Sequence, residues 1–145
     1  MRLSKRTEYG LRAIVQLARL GPGGYVQSKD LAQQESLPNK ILESILLALR
    51  RGEFLESKVG SGGGYRLSRP PREIRVGDLI RRLEGRLTLK EPMATREMSA
   101  GEVAVRLINE RLTDATDEVL DDMTLEQLVE QVARTGSLQQ SMYYI

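Results

Sequence analysis

The residue types with the clearest chemical potential surround a glycine-rich segment at residues 60–64. Glycines tolerate positive φ and allow a close approach to a phosphate backbone or a groove, and flanking cations suit phosphate groups. A nucleotide-binding loop would lead into a helix, whereas Pro70-Pro71 follow here after alternating residues. We expect a β-hairpin tip that contacts nucleic acid, with a purely structural hairpin as the alternative. The candidate contacts are Lys58, Gly60, Ser61, Gly62, Gly63 and Arg66.

A second polar group lies where a helix is predicted to begin, after Pro38. A glutamate at such a position accepts a hydrogen bond from a cytosine amino group, and an asparagine can read adenine. The alternative is an ordinary solvated helix face. The candidates are Asn39, Lys40, Glu43 and Ser44, together with Arg2 ahead of the first helix and Ser28 at the start of the second.

The residues that are missing exclude several kinds of chemistry. The chain has no cysteine and no histidine, so it cannot form a disulfide, a cysteine-ligated iron–sulfur cluster, a Cys/His zinc site or a His-based triad. Carboxylates do cluster near the end of the long helix, but they lack the spacing of a calcium loop, and we interpret them as a solvated surface. We therefore expect no metal, no cofactor and no enzymatic activity. The clustered carboxylates are Asp114, Asp117, Glu118, Asp121 and Asp122.

Charge is divided unequally along the chain. Residues 1–90 carry 18 basic and 9 acidic side chains, and residues 91–145 carry 4 and 11, although the net charge is only +2. A basic first half favours a polyanionic partner. No apolar run approaches the roughly 20 residues of a membrane span, and the N-terminus lacks the apolar core of a signal peptide. We expect a cytoplasmic protein without a membrane partner.

Hydrophobic periodicity predicts the elements that position these residues. A first helix starts at Ser4 or Thr7 and stops before residues 21–24. Ser28 is predicted to cap a short second helix, and a third helix ends with Gly52 as its C′ residue. A hairpin follows, and then a fourth helix over residues 76–83. The fold class is mainly α with a small β-hairpin, a winged helix-turn-helix.

The second half reads as a long amphipathic helix followed by another helix. Ser99 with Glu102 and Thr124 with Gln127 have the spacing of capping boxes. Because the winged unit is already complete, we expect the long C-terminal helix to pair with a second copy, giving a two-fold dimer; packing on its own winged unit is the alternative. The dimerisation residues are Val103, Leu107, Ile108, Leu112, Ala115 and Val119. The predicted regions are 1–85 for DNA binding, 86–136 for dimerisation and 137–145 for a tail.

Several short motifs together resemble the BadM/Rrf-two family of bacterial regulators. They are Tyr9-Gly10-Leu11-Arg12-Ala13, Leu42-Glu43-Ser44-Ile45-Leu46, Gly62-Gly63-Gly64-Tyr65-Arg66-Leu67 and Leu83-Glu84-Gly85. The resemblance implies a homodimeric winged-helix transcriptional repressor on palindromic double-stranded DNA. Cluster-binding members carry three cysteines in the stretch equivalent to 86–101, which this chain lacks. Many members also have an arginine where Val59 stands, which leaves the minor-groove contact to Lys58. A rival function is a protein-interaction scaffold that keeps the winged fold without binding DNA.

Within that family the chain is most similar to the cysteine-metabolism repressors. The shared features are Thr124-Leu125-Glu126 and an end with two aromatic residues and an isoleucine, here Tyr143, Tyr144 and Ile145. The resemblance implies a complex with O-acetylserine thiol-lyase (cysteine synthase), in which the terminal carboxylate occupies the place of an amino-acid substrate. Alternatively, the two tyrosines pack against the dimer helices, or the end of the chain is loose.

Overall fold

The computed structural model describes residues 2–85 and 95–143, with side chains up to residue 136. Tyr144, Ile145 and the side chain of Tyr143 lie outside the described residues. In chain order the elements are α1 (Lys5–Arg19), α2 (Ser28–Glu35), α3 (Asn39–Arg51), β1 (Leu55–Lys58), β2 (Gly64–Leu67), a short 3-10 helix (Pro71–Glu73), α4 (Val76–Glu84), α5 (Ala100–Asp121) and α6 (Leu125–Tyr143). The predicted helix-turn-helix followed by a hairpin is confirmed. No helix among the described residues is both long and apolar enough to cross a membrane.

Three helices begin with the side-chain caps that their sequences predict. Ser4 Oγ accepts the Thr7 N–H at 3.2 Å, so Ser4 and not Thr7 is the cap of α1. The capping box of α5 is complete between Ser99 and Glu102. The Glu102 carboxyl has its pKa lowered to about 2, chiefly because it also accepts a hydrogen bond from Arg96. At the start of α6, Thr124 and Gln127 exchange the same pair of bonds at 2.9 and 3.2 Å.

Two helix ends differ from the prediction. Ser28 is not the cap of α2, because that helix already starts at Ser28, and Gln27 precedes it without a side-chain cap. At the end of α3, Gly52 has φ −80°, and Glu53 takes the left-handed conformation at φ +65°. A Cβ at residue 52 would nevertheless lie 2.9 Å from the ring of Phe54, so a larger residue there would displace that ring.

The wing is a two-stranded antiparallel hairpin, β1 with β2, in which Leu55 lies opposite Leu67 and Lys58 opposite Gly64. Backbone hydrogen bonds join the wing to the segment just ahead of α2. The Val26 N–H donates to the Tyr65 carbonyl at 2.9 Å, and the Tyr65 N–H donates to the Val26 carbonyl at 2.8 Å. Gly64 makes this approach possible, because its φ is +134° and a Cβ would lie 2.3 Å from the Val26 carbonyl oxygen.

The core lies between the first four helices, and one residue from α6 completes it. Leu125 has no exposed surface and belongs to the same buried cluster as the apolar faces of α1, α3 and α4. Backbone hydrogen bonds hold it there: the Leu125 N–H donates to Ile74 at 2.8 Å, and the Val76 N–H donates to Met123 at 2.9 Å. The largest fully buried apolar side chains are Ile14, Leu31, Leu42, Ile45, Leu46, Leu49, Ile74, Leu79 and Leu125.

Ion pairs and one close packing contact attach α5 to α4. Gly77 packs against Leu120, where a Cβ would be 2.9 Å from the leucine side chain. Arg81 pairs with Asp121 at 2.8 Å and with Asp117 at 3.1 Å. These hydrogen bonds, the one to Asp121 foremost, raise the pKa of Arg81 above its usual value.

The apolar stripe of α5 is not covered by the described part of the chain. Thr113 is the one buried residue recorded for this helix. Ala115 is exposed, and the other five predicted dimerisation residues are between 41% and 65% exposed. Val105, at 61%, extends the stripe because it precedes Ile108 by three residues and Leu112 by seven.

Truncating Leu125 tests whether α6 completes the core. Leu125→Ala should lower the free energy of unfolding by about 2–5 kcal/mol, because it removes a fully buried side chain and leaves a cavity. Ile41→Ala is the control, since Ile41 is 47% exposed and its loss should cost less than about 1 kcal/mol. Urea denaturation at one fixed protein concentration measures both. Equal effects of the two substitutions would contradict this account of the core.

Candidate nucleic-acid interface

The N-terminal half of α3 presents its polar side to solvent. Leu42, Ile45, Leu46 and Leu49 point into the core, and this spacing turns the residues between them outward. The predicted contacts Asn39, Lys40, Glu43 and Ser44 are all exposed. The second helix of a helix-turn-helix places this part of its surface in the major groove.

Two weak hydrogen bonds orient the Glu43 carboxylate, and both come from predicted site residues. Its Oε1 accepts a hydrogen bond from the Ser28 hydroxyl at 3.4 Å and from the Asn39 amide at 3.4 Å. This explains why Ser28 does not cap its own helix, since its hydroxyl faces α3 instead. Both bonds are long and therefore weak, so a base amino group can replace either partner at small cost. The second carboxylate oxygen has no recorded partner within the described residues.

The tip of the wing exposes its backbone and one unpaired cation. Gly60, Ser61 and Gly62 are exposed, and Val59 is 96% exposed. The ammonium of Lys58 forms no recorded ion pair within the described part of the chain. Gly63 is different, because it is buried: its N–H donates to the Gly60 carbonyl at 3.0 Å, and a Cβ would lie 2.2 Å from the Lys58 carbonyl oxygen.

Arg66 is already engaged inside the wing. Its Nε donates to Glu56, the residue opposite it on β1, and its guanidinium lies 4.4 Å from the centre of the Tyr25 ring. The bond to Glu56 raises the pKa of Arg66 above its usual value. Of the two cations that flank the tip, Lys58 is thus the one available to a phosphate. Glu56 and Tyr25 were not predicted from the sequence, although the hairpin register, once fixed, places Glu56 opposite Arg66.

The start of α2 brings the wing and α3 together. Val26 is hydrogen-bonded to β2, and Ser28, two residues later, is hydrogen-bonded to α3. Arg2 is exposed ahead of α1. Near it, the Ser4 N–H donates to Glu84 of α4 at 2.7 Å, and this bond lowers the pKa of the Glu84 carboxyl. The described groups are donors and acceptors suited to bases and phosphates.

The known proteins that this chain resembles are transcriptional regulators. The Rrf2 family profile, described as an iron-dependent transcriptional regulator, matches residues 3–131. The chain is 34% identical to the HTH-type transcriptional regulator CymR of Bacillus subtilis (strain 168) over the full length of both. It is also 32% identical to the regulator NsrR of Geobacillus kaustophilus (strain HTA426), covering 95% of this chain and 96% of NsrR.

Solved structures agree with these sequence matches. The structure of CymR, named the global cysteine regulator of B. subtilis, has a TM-score of 0.75 to this chain, with 34% identity over 90% of this chain and 98% of CymR. The structure of T. potens IscR has a TM-score of 0.74, with 30% identity over 91% of this chain and 88% of IscR.

The iron in the family's description does not fit the residues of this chain as a thiolate-ligated cluster. The sequence offers no cysteine and no histidine, which are the ligands of biological iron–sulfur centres. Among the described residues, no group of three or more carboxylates is placed to hold a metal ion. The family's fold is present without those ligands, and the matched profile with its full-length relatives shows that this chain belongs to the Rrf2 family of winged-helix transcriptional regulators.

Proposed function

We propose that this protein is a homodimeric, sequence-specific transcriptional repressor that binds a palindromic operator. The observation that carries the proposal is the arrangement around Glu43, which Ser28 and Asn39 hold on the exposed side of α3. Beside it stands a wing whose Lys58 is unpaired among the described residues. A held acceptor on the recognition helix suits base readout, and a free cation on the wing suits backbone contact.

Each predicted contact then has a role that follows from its surroundings. Lys40 and Ser44 flank Glu43 and Asn39 along the major groove. Lys58 and the exposed tip residues Gly60, Ser61 and Gly62 approach the phosphate backbone, while Arg2 and Ser28 add contacts at the edges of the interface. Gly63 and Arg66 act within the wing, because one is buried and the other is paired with Glu56.

The exposed stripe of α5 supports the dimer. Six large apolar side chains of α5 are exposed, and four of them share one face of the helix, a surface that water solvates poorly and that a second copy would cover. A two-fold axis then presents two recognition helices to two half-sites, which is why the operator is a palindrome. The stripe consists of Val105, Ile108, Leu112 and Val119, while the exposed side chains of Val103 and Leu107 lie on another side of the helix.

The test of the function as a whole is a titration of labelled DNA from upstream of the protein's own gene. We expect saturable binding that weakens steeply with salt, by roughly 10³–10⁵ between 50 and 200 mM for about 6–10 phosphate contacts. A scaffold that keeps the winged fold without binding DNA would show no salt-sensitive binding, and that result would reject the proposal. Catalysis would need an activated nucleophile or an acid–base pair, and neither is recorded among the described residues.

Substitutions at Glu43 and Lys58 should separate base reading from phosphate binding. Glu43→Ala should relax the base preference by about 1–3 kcal/mol at its position and leave binding to unrelated DNA nearly unchanged. Lys58→Ala should weaken binding to every sequence and reduce the slope of log K against log salt by about one. Binding-site selection followed by salt titrations measures both effects.

Two exposed residues of α6 serve as the matched controls for this experiment. Glu126→Ala and Arg134→Ala remove the same charges far from the interface, so neither the base preference nor the salt slope should change. If Glu43→Ala leaves the selected sequences unchanged, Glu43 belongs to an ordinary solvated face.

A charge within the α5 stripe should abolish the dimer. Ile108→Glu should halve the mass in solution, because the introduced carboxylate would lose its hydration in an apolar contact. Ile41→Glu introduces the same group at a similarly exposed residue of α3, and this variant should remain dimeric. Multi-angle light scattering measures the mass. A monomeric parent protein, or a dimeric Ile108→Glu variant, would contradict the assignment.

We further propose that the C-terminal residues Tyr143, Tyr144 and Ile145 bind a partner, O-acetylserine thiol-lyase. Similarity to CymR over its full length, and the naming of CymR as a cysteine regulator, support this. A terminal carboxylate next to an apolar side chain is a recognition unit captured by backbone N–H groups beside an apolar pocket.

Deletion of Ile145 alone should abolish that complex, because it removes the side chain and moves the carboxylate. Dimerisation and DNA binding should stay unchanged, and Gln139→Ala should leave the complex intact. Calorimetric titration of the thiol-lyase with each variant measures the effect. The idea is wrong if the shortened chain still binds the enzyme or if its dimer dissociates.

A further inference from the structure

A pocket of about 520 Å³ lies at the root of the wing, away from the face formed by α3 and the wing tip. It is enclosed by the last turn of α1, the loop 21–24, the strand β2 and the segment that begins at Pro70. This volume lies within the range of small-molecule sites. No residue of α3 lines the pocket, so it is separate from the candidate nucleic-acid interface.

The walls of the pocket are mainly aliphatic. Leu17 and Ala18 come from α1, and Val26 and Leu67 come from the two chain segments that meet at the wing. Leu20 adds an apolar side chain that is 53% exposed. The adjoining loop contains three glycines and one proline and cannot fill the space. An apolar ligand body would therefore remove aliphatic surface from water that the fold leaves uncovered.

The rim of the pocket is cationic. Arg66, Arg69 and Arg72 line it, and Glu56 is the one carboxylate among the lining residues. Arg66 is paired with Glu56, and the guanidinium of Arg69 lies 5.7 Å from the centre of the Phe54 ring. Arg72 is exposed and has no recorded ion pair or hydrogen bond in the described part of the chain.

From this combination we infer that the pocket binds a small organic acid with an apolar body and a single carboxylate. The body lies on Ala18, Leu20 and Leu67, and the carboxylate meets Arg72, whose planar guanidinium donates two parallel hydrogen bonds to such a group. The aliphatic walls distinguish this ligand from a DNA phosphate, which would leave them uncovered.

The position of the pocket couples the ligand to the DNA-binding face, and this step depends on the proposed function. Val26 is hydrogen-bonded to Tyr65 of β2 and precedes Ser28, which reaches Glu43, by two residues. A ligand between α1 and β2 therefore contacts the segment that sets the position of the wing relative to α3. The acid acts as an effector that changes operator affinity.

The test uses the full chain with the fluorescent anion 8-anilinonaphthalene-1-sulfonate as reporter. We expect 4-phenylbutanoate to displace the dye saturably and 4-phenylbutan-1-ol, which has the same body without the charge, to be at least about tenfold weaker. Arg72→Gln should weaken the acid by about tenfold or more, and Ala18→Phe should abolish binding by filling the pocket. Arg19→Gln, which removes a neighbouring exposed charge outside the pocket, should change nothing.

Several results would overturn the site. One is that the alcohol competes as well as the acid, and another is that Arg72→Gln has no effect. A third is that Ile108→Glu rather than Ala18→Phe removes the dye signal, which would place the dye on α5. Displacement by a short DNA duplex with the same loss in Arg72→Gln would assign the cations to phosphate instead. Because Arg72 is exposed, its variant tests the site even if Ala18→Phe fails to fold.

A second measurement separates the site from its regulatory role. 4-Phenylbutanoate should shift the half-saturation of operator DNA at least about threefold in the parent and not in Arg72→Gln. Acid binding with unchanged DNA affinity would reject the effector role while leaving the site. Absence of any DNA binding at low salt would reject the proposed function, and the dye experiment would still decide the site.

Discussion

Burial of Leu125 is the contact on which the relation between the two halves of the molecule depends. Its side chain lies in a core made otherwise by the first half of the chain, and hydrogen bonds between residues 74–76 and 123–125 fix it there. These bonds join the segment before α4 to the start of α6. The chain between them, which includes the long α5, therefore begins and ends at the winged unit. The ion pairs of Arg81 with Asp117 and Asp121 attach α5 to α4 and so set the direction in which α5 runs.

The charged residues of the candidate interface differ in whether they are paired within the protein. Arg66 is paired with Glu56 within the wing, while Lys58 has no recorded ion pair in the described part of the chain, so it is the cation beside the exposed tip that remains available. On α3, Glu43 brings a negative charge to the surface that is proposed to meet a polyanion. Such a charge is unfavourable to binding in general and becomes useful only where a base donor meets it, so it adds selectivity more than affinity.

Local sequence signals predicted the elements well, and contacts between distant residues account for the errors. The caps at Ser4, Ser99 and Thr124 depend on groups three residues away and were therefore visible in the sequence. Ser28 carries an equally good local signal, but its hydroxyl bonds to Glu43, fifteen residues later. Gly52 was correctly placed at a helix end, but Glu53 and not Gly52 takes the left-handed conformation, and the glycine leaves room for the ring of Phe54.

Because Gly64 lies close to the carbonyl of Val26, this end of the hairpin has no room for a side chain, whereas the outer tip does. Any side chain at residue 64 would separate the wing from the segment leading into α2, so this end of the hairpin is fixed by sterics. Val59 and Ser61 project into solvent and carry no such constraint. The outer tip and the exposed side of α3 can therefore change in sequence without disturbing the fold, whereas residue 64 cannot.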